Sequence, residues 1–182
     1  MDFSRLPKTT ISGGKSRKEA EEIGRAEEFI FLVFTQPAEA VKFSLLLRAN
    51  LQALTEDIGQ AVSDRFGIHL GGFFTQQAGE LALDDGLLNR HLNVAVRLAD
   101  LAEANKILMT GPAFDAARQS FKKNDLKKED LDKIGPLSWT NHGPYLLSGI
   151  EEPLEICEVA EAKKESPPAL PATEKAQPQA QD

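Results

Sequence analysis

Leu92-Asn93-Val94-Ala95-Val96-Arg97-Leu98 sets an amide and a guanidinium one helical turn apart in an otherwise apolar run. Residues four apart on a helix share a face, so Asn93 and Arg97 can point together at one ligand. Just upstream, Gly67-Ile68-His69-Leu70-Gly71-Gly72 reads as a strand that ends in a glycine turn. The two pieces form a strand, a connection and a helix that carries one polar pair.

Working outward, Phe29-Ile30-Phe31-Leu32-Val33-Phe34 is continuous, β-branched and aromatic, which suits a core strand covered on both faces. Thr35 and Pro37 then open a helix in which Ala40, Phe43, Leu47, Leu51 and Leu54 recur at spacings of three and four. After a turn near Asp64, a strand is expected over residues 66–75, a strand or loop that suits a hairpin partner over 78–85, and a helix over 87–103. Ile107-Leu108-Met109-Thr110 reads as a short strand, Pro112 as the start of a helix to about Phe121, and the charge-rich stretch 122–133 as an exposed connection. Two final strands are expected near 145–147 and 154–159, with Gly149 and Pro153 marking the bend between them.

The ends differ in composition from this middle. Residues 1–24 are polar and read as a mobile leader, in which Arg17-Lys18-Glu19-Ala20-Glu21-Glu22 suits a short helix. A phosphate-loop reading of Gly14-Lys15-Ser16 fails, because Thr9 stands where the motif needs its first glycine and no apolar strand precedes it. One domain is expected over 25–160. Residues 161–182, rich in Pro, Ala and Gln, are expected to be a disordered tail, since they offer too little apolar surface to offset ordering. Within it, Pro168-Ala169-Leu170-Pro171 has PxxP spacing.

A chain of 182 residues with 41% hydrophobic content supports one core, and a net charge of -7 argues against a nucleic-acid partner or an anionic membrane surface. No apolar run is long enough for membrane insertion, and the charged start lacks a signal-peptide core, so a cytoplasmic protein is expected. The single cysteine, Cys157, excludes an internal disulfide and a cysteine metal cage. Alternation puts it on the face of Glu155 and Val159, as a structural thiol rather than a nucleophile.

Several of these stretches, taken in order, resemble the catalytic domain of class III nucleotidyl cyclases, the family that makes cyclic AMP or cyclic GMP. Phe29 to Phe34 with Gln36-Pro37-Ala38-Glu39-Ala40-Val41 is similar to the strand and helix after the family's second metal-binding loop. Gly67-Ile68-His69, Asn93-Val94-Ala95-Val96-Arg97-Leu98 and Ala104-Asn105-Lys106-Ile107-Leu108-Met109-Thr110 resemble its next anchors, and Leu147-Ser148-Gly149-Ile150-Glu151-Glu152-Pro153 its Leu-Lys-Gly-Ile-x-x-Pro stretch. The resemblance covers about Glu27 to Val159. It implies an α/β (α+β, ferredoxin-like) sandwich: a mostly antiparallel sheet with helices on one face, here with the first strand and two helices missing or remodelled.

The resemblance also implies a reaction and its residues. Two divalent metals held by two aspartates let the ribose 3′-oxygen attack the α-phosphate and expel pyrophosphate. Asn93 would orient the ribose and Arg97 would meet the phosphates, both given across a head-to-tail dimer. This sequence departs from the pattern at the metals. The leader supplies no first strand or first aspartate, although Thr9-Thr10-Ile11 suits a partial replacement for the strand. At the second metal position, Ala26-Glu27 or Gly24-Arg25 replaces Gly-Asp, leaving Glu27 as the one carboxylate that could touch a cation. The base-choosing lysine falls at Glu21 or Ile23, and the matching selector near Gly86, beside Asp85.

Each polar residue has a plainer reading too. Arg97 beside Asp100 suits a salt-bridged surface arginine, and Asn93 a helix-surface amide. His69 reads as a structural histidine, His91 and His142 carry no assigned role, and Trp139 and Tyr145 read as core or rim. The expected function is a catalytically inactive cyclase-homology module that regulates or scaffolds signalling, with a protein partner or a homodimer and no cofactor. The alternatives are the Asn/Arg-donating half of a heterodimeric purine nucleotide cyclase, with Mg2+ or Mn2+ and ATP or GTP, or a nucleotide sensor without turnover.

Overall fold

The computed structural model describes residues 20–26, 29–59, 63–71, 85–122, 134–162 and 168–180. The chain runs β1 (Ala20–Ala26), β2 (Phe29–Phe34), α1 (Pro37–Ile58), β3 (Arg65–Ile68), α2 (Asp85–Leu101), β4 (Lys106–Thr110), α3 (Gly111–Lys122), β5 (Leu137–Leu147), β6 (Leu154–Glu161) and β7 (Ala176–Pro178). β1 and β2 form an antiparallel hairpin, and the other strands form a five-stranded sheet in the order β3-β4-β6-β5-β7. Only the β3–β4 pair is parallel.

The two faces of this sheet are read from alternation. Ile107, Met109, Cys157 and Val159 point to one side, where they pack with Val41 and Leu45 of α1 and with Ala113, Phe114 and Ala117 of α3. Leu108, Ile156, Tyr145 and Leu147 point to the other, against Val94, Leu98 and Leu101 of α2. Helices therefore cover both faces, not one as expected. β4, flanked by β3 and β6, is apolar on both sides for this reason: Ile107, Leu108 and Met109 are each 0% exposed.

Pro37 supplies a preset φ at the start of α1, and Gly59, at φ 71°, ends it in the left-handed region with its N–H donating to the Thr55 carbonyl. Ser44, buried in α1, donates its hydroxyl to the Ala40 carbonyl. Arg48 of α1 reaches Asp64 just before β3 through two nitrogens on one oxygen, at 3.1 and 2.9 Å, with its guanidinium over the Phe66 ring. This pair clamps helix to strand.

Five further expectations need correction. The leader gives way to β1 at Ala20, in place of a short helix, because the segment pairs residue by residue with β2 and buries Glu22 and Ile23. β2 is not covered on both faces: its only described ladder is to β1, and Ile30 is 60% exposed. Residues 168–180 are not a disordered tail. β7 pairs with the outer edge of β5, and Leu170 and Ala176 are buried among Val94, Leu98, Tyr145 and Leu147. The strand expected over 66–75 ends at Ile68, and β5 is far longer than 145–147. Residues 9–11, 72–84 and 123–133, with the replacement strand, the hairpin and the connection placed there, lie outside the described residues.

Candidate functional site

Helix α2 packs in three directions at once. Leu92 and Val96 meet Ile23 and Phe31 of the hairpin, while Val94, Leu98 and Leu101 meet the sheet. A third flank lies on β3, so tightly that a Cβ on Gly67 would overlap the Ala95 carbonyl and sit 2.7 Å from the Ala99 nitrogen. At roughly 100° per residue, Arg90, Asn93 and Arg97 fall in the remaining sector, between the hairpin flank and the sheet flank. The sequence-predicted pair thus sits on the outward face.

Asn93 is exposed and Arg97 is half-buried. The Arg97 guanidinium donates through Nε to the Ser148 carbonyl at 3.2 Å and lies 3.5 Å from the Asp100 carboxylate. Ser148 opens the turn between β5 and β6, where Gly149 takes a φ of 81° that disfavours side chains. The structure so joins two of the sequence anchors, the helix 92–98 and the stretch 147–153. Arg90, Gly149, Ile150 and Glu151 line a cleft of about 250 Å³ beside them. A guanidinium there can present two parallel N–H donors to a carboxylate or phosphate.

Of the two positions at which the resemblance calls for Gly-Asp, Ala26-Glu27 or Gly24-Arg25, the described residues place Ala26 opposite Phe29, Arg25 opposite Ile30 and Gly24 opposite Phe31 on the hairpin. Glu27 lies outside the described residues, and the side chain of Asp85 in the first turn of α2 is not described. Among the described residues no group of three or more His, Cys, Asp or Glu could hold a metal ion. The described residues therefore do not by themselves form a two-metal donor set.

Sequence spacing missed a second cluster. His69, at the end of β3, brings its Nε2 to 2.9 Å from Nδ1 of His91 on α2, and its Nδ1 to 3.2 Å from the Thr110 hydroxyl. Burial first, and the neighbouring His91 second, push His69 down to about 4. Burial and then Arg90 push His91 down as well. Both rings are neutral near pH 7, sharing one proton across the contact. Gly71 makes room for this, since a Cβ there would lie 2.6 Å from the His91 ring. The 22 residues between the histidines hide the contact in the sequence.

Two further groups are structural. His142 Nε2 lies 2.9 Å from the Glu158 carboxylate, both side chains 5% exposed. Cys157 is 1% exposed, and burial, with Glu155 and Asp115 adding to it, pushes its thiol up to about 12. It stays protonated and inert, as its strand position implied.

No protein-family model and no curated protein matches the chain. Solved structures do. An adenylate cyclase from Trypanosoma brucei, studied in its monomeric state, superposes with a TM-score of 0.52 at 18% identity over 83% of this chain and 74% of that one. A second T. brucei adenylate cyclase gives 0.47 at 18% identity over 87% and 75%. The adenylyl cyclase CyaB from P. aeruginosa gives 0.42 at 18% over 70% and 60%. At this identity the likeness speaks for architecture, and the first of the three carries it. With its mixed, mostly antiparallel sheet and three helices, the chain has the fold of a class III adenylate cyclase catalytic domain.

Proposed function

We propose that this protein is a catalytically inactive cyclase-homology module that acts by binding, as a regulatory or scaffolding element of intracellular signalling. The observation that carries this reading is the split between the two halves of the site. On α2, Asn93 and Arg97 keep a common outward sector, whereas the sequence offers Ala26-Glu27 or Gly24-Arg25 in place of the family's Gly-Asp, which leaves at most one carboxylate, Glu27, for a cation. Substrate phosphates could be met by Arg90 and Arg97, whereas a lone Glu27 would not make the two-metal site that activates the ribose oxygen.

What remains is recognition. The α2 face beside the β5–β6 turn, with Arg90 lining the cleft opposite Glu151 and with Arg97 and the exposed Asn93 next to it, suits a carboxylate or phosphate on a partner. Among the described residues β2 pairs with β1 alone and its Ile30 is 60% exposed, which favours association with a protein partner or a second copy.

A second reading is favoured by the exposure of Asn93 one turn from Arg97: the chain gives both residues to a partner that holds Mg2+ or Mn2+ and ATP or GTP, as half of a heterodimeric purine nucleotide cyclase. Titration with ATP and GTP plus manganese, followed by calorimetry and by cyclic nucleotide in the same samples, tests the first reading. Product formed by the protein alone would overturn it. Mixing with an intact cyclase tests the second, which requires a gain in product that Arg97→Ala abolishes.

A further inference from the structure

The C-terminal residues 168–180 end on the outward face of α2, and their contacts converge on the group that holds Arg97. Ser148 is shared. Its N–H donates to the Lys175 carbonyl at 2.8 Å, while its carbonyl accepts from Arg97 Nε at 3.2 Å. Asp100 is shared as well, its Oδ2 lying 3.5 Å from Arg97 Nη1 and 3.5 Å from Lys175 Nζ. Both anchors that turn the guanidinium back toward the protein are thus also anchors of this segment.

The segment is lightly held elsewhere. Leu170 fills an apolar pocket of Val94, Leu98 and Tyr145, with its carbonyl accepting from the Tyr145 hydroxyl at 3.1 Å. β7 adds three paired residues to the edge of β5, and Gln179 N–H donates to the Pro144 carbonyl at 2.8 Å. One buried leucine, one buried alanine and a short edge ladder are little for thirteen residues, most of them exposed. Such a segment opens at a small fraction of the global unfolding cost.

We propose that residues 168–180 are a displaceable strap that holds Arg97 in a withdrawn orientation through Ser148, so that undocking the strap frees the guanidinium from that carbonyl for an anionic ligand of the polyphosphate class. The ligand part rests on the reading of the α2 face as a binding face. The coupling between strap and guanidinium does not. Displacement relaxes the β5–β6 turn that carries the Ser148 carbonyl and uncovers the edge of β5, while Asp100 stays as a contact that the ligand must outcompete. Coupling runs both ways: whatever draws Arg97 outward loosens the strap by the same factor.

The test uses the full-length chain. Leu170→Asp sets a carboxylate in the apolar pocket, and Gln179→Pro removes the N–H that bonds Pro144 at an exposed position, so it carries the test if Leu170→Asp fails to fold. Amide exchange at Ser148 and residue 177 reports docking, and calorimetric titration with inorganic tripolyphosphate reports the freed cation. Both variants are expected to speed exchange at these amides and to tighten tripolyphosphate binding about tenfold, in the range of ordinary coupling energies. The gain must vanish when Arg97→Ala is added. Faster exchange with unchanged or weaker binding overturns the proposal. If tripolyphosphate binds neither the parent nor the variants, the ligand reading falls by itself. The coupling is then decided by Arg97→Ala alone, which must speed exchange at Ser148; unchanged exchange there overturns it.

Discussion

Acid should loosen α2 from the sheet through the His69–His91 contact. One proton bridges the two ring nitrogens at 2.9 Å, so a second charge on the pair would set two N–H groups face to face. His69 is held at about 4 in the folded chain, against an ordinary value near 6.5 when unfolded. Its folded value is depressed, so the unfolded chain binds the extra proton. The contribution is therefore fully present above about pH 6.5 and is lost as pH falls toward 4. Integrating a shift of that size between pH 7 and 4.5 gives about 2 kcal/mol, less any screening at the accessible edge of the ring. Carboxylates also titrate in this range, so the assay is a comparison. Urea unfolding of the parent and of His69→Gln would be followed from pH 7 to 4.5, and the parent should lose about 2 kcal/mol more than the variant. Parallel loss in the two proteins, or a His69 ring resonance that titrates near 6.5, would refute the reasoning.

Gly67→Ala forces the Ala95 carbonyl and the Ala99 nitrogen of α2 away from β3, and backbone cannot yield as a side-chain tip would. A loss of about 3 kcal/mol in urea unfolding is expected, and a change under about 0.5 kcal/mol would contradict the packing. Arg48→Ala leaves the Asp64 carboxylate, 7% exposed, without its guanidinium, so a loss of about 3 kcal/mol or more is expected. Removing both partners should cost less than the two single changes added together, as a double-mutant cycle would report. Cys157 should resist a thiol reagent at pH 8 in the native protein and react at once in denaturant, since burial keeps it protonated. Fast native labelling would show that β6 is open there.

The sequence carried the packed middle of the fold and hid its margins, for identifiable reasons. Apolar spacing of three and four marked α1, Pro112 marked the start of α3, and the unbroken run at residues 107–109 marked β4 because both of its faces are covered. β1 was illegible: Ala20-Glu21-Glu22-Ile23 has no strand-like composition, and its conformation comes from the ladder to β2. The strap was misread for a related cause. Its backbone bonds to Ser148 and Pro144 need no particular side chains, so a Pro- and Gln-rich segment serves as an edge strand as long as one leucine finds a pocket. The two sheet faces were missed because alternation in β4 is invisible when every residue is apolar. At the site, the spacing of Asn93 and Arg97 predicted a shared face, but the ring of partners around Arg97 required the turn at Ser148 and the strap, which lie 51 and 78 residues away.

That shared face also limits what can be read from it. Three flanks of α2 are fixed by packing: Leu92 and Val96 on the hairpin, Leu98 and Leu101 on the sheet, Ala95 and Ala99 against Gly67. A helix has only about 360° to divide, and a little over a third of it is left for Arg90, Asn93 and Arg97. Their common direction follows from burying the other three sides, whatever the residues do. Geometry alone therefore cannot mark an Asn/Arg pair as catalytic. The discriminating observation is what each side chain does within that sector: Asn93 stands open to solvent, while Arg97 is turned back onto Ser148 and Asp100. A residue poised for a partner's substrate gains most when its donors point outward before the ligand arrives, since preorganised dipoles need no rearrangement. Arg97 would first have to exchange two protein contacts. That places it closer to a regulated contact than to a ready catalytic group, and it makes the state of the strap, rather than the presence of the arginine, the variable that any binding measurement on this protein must control.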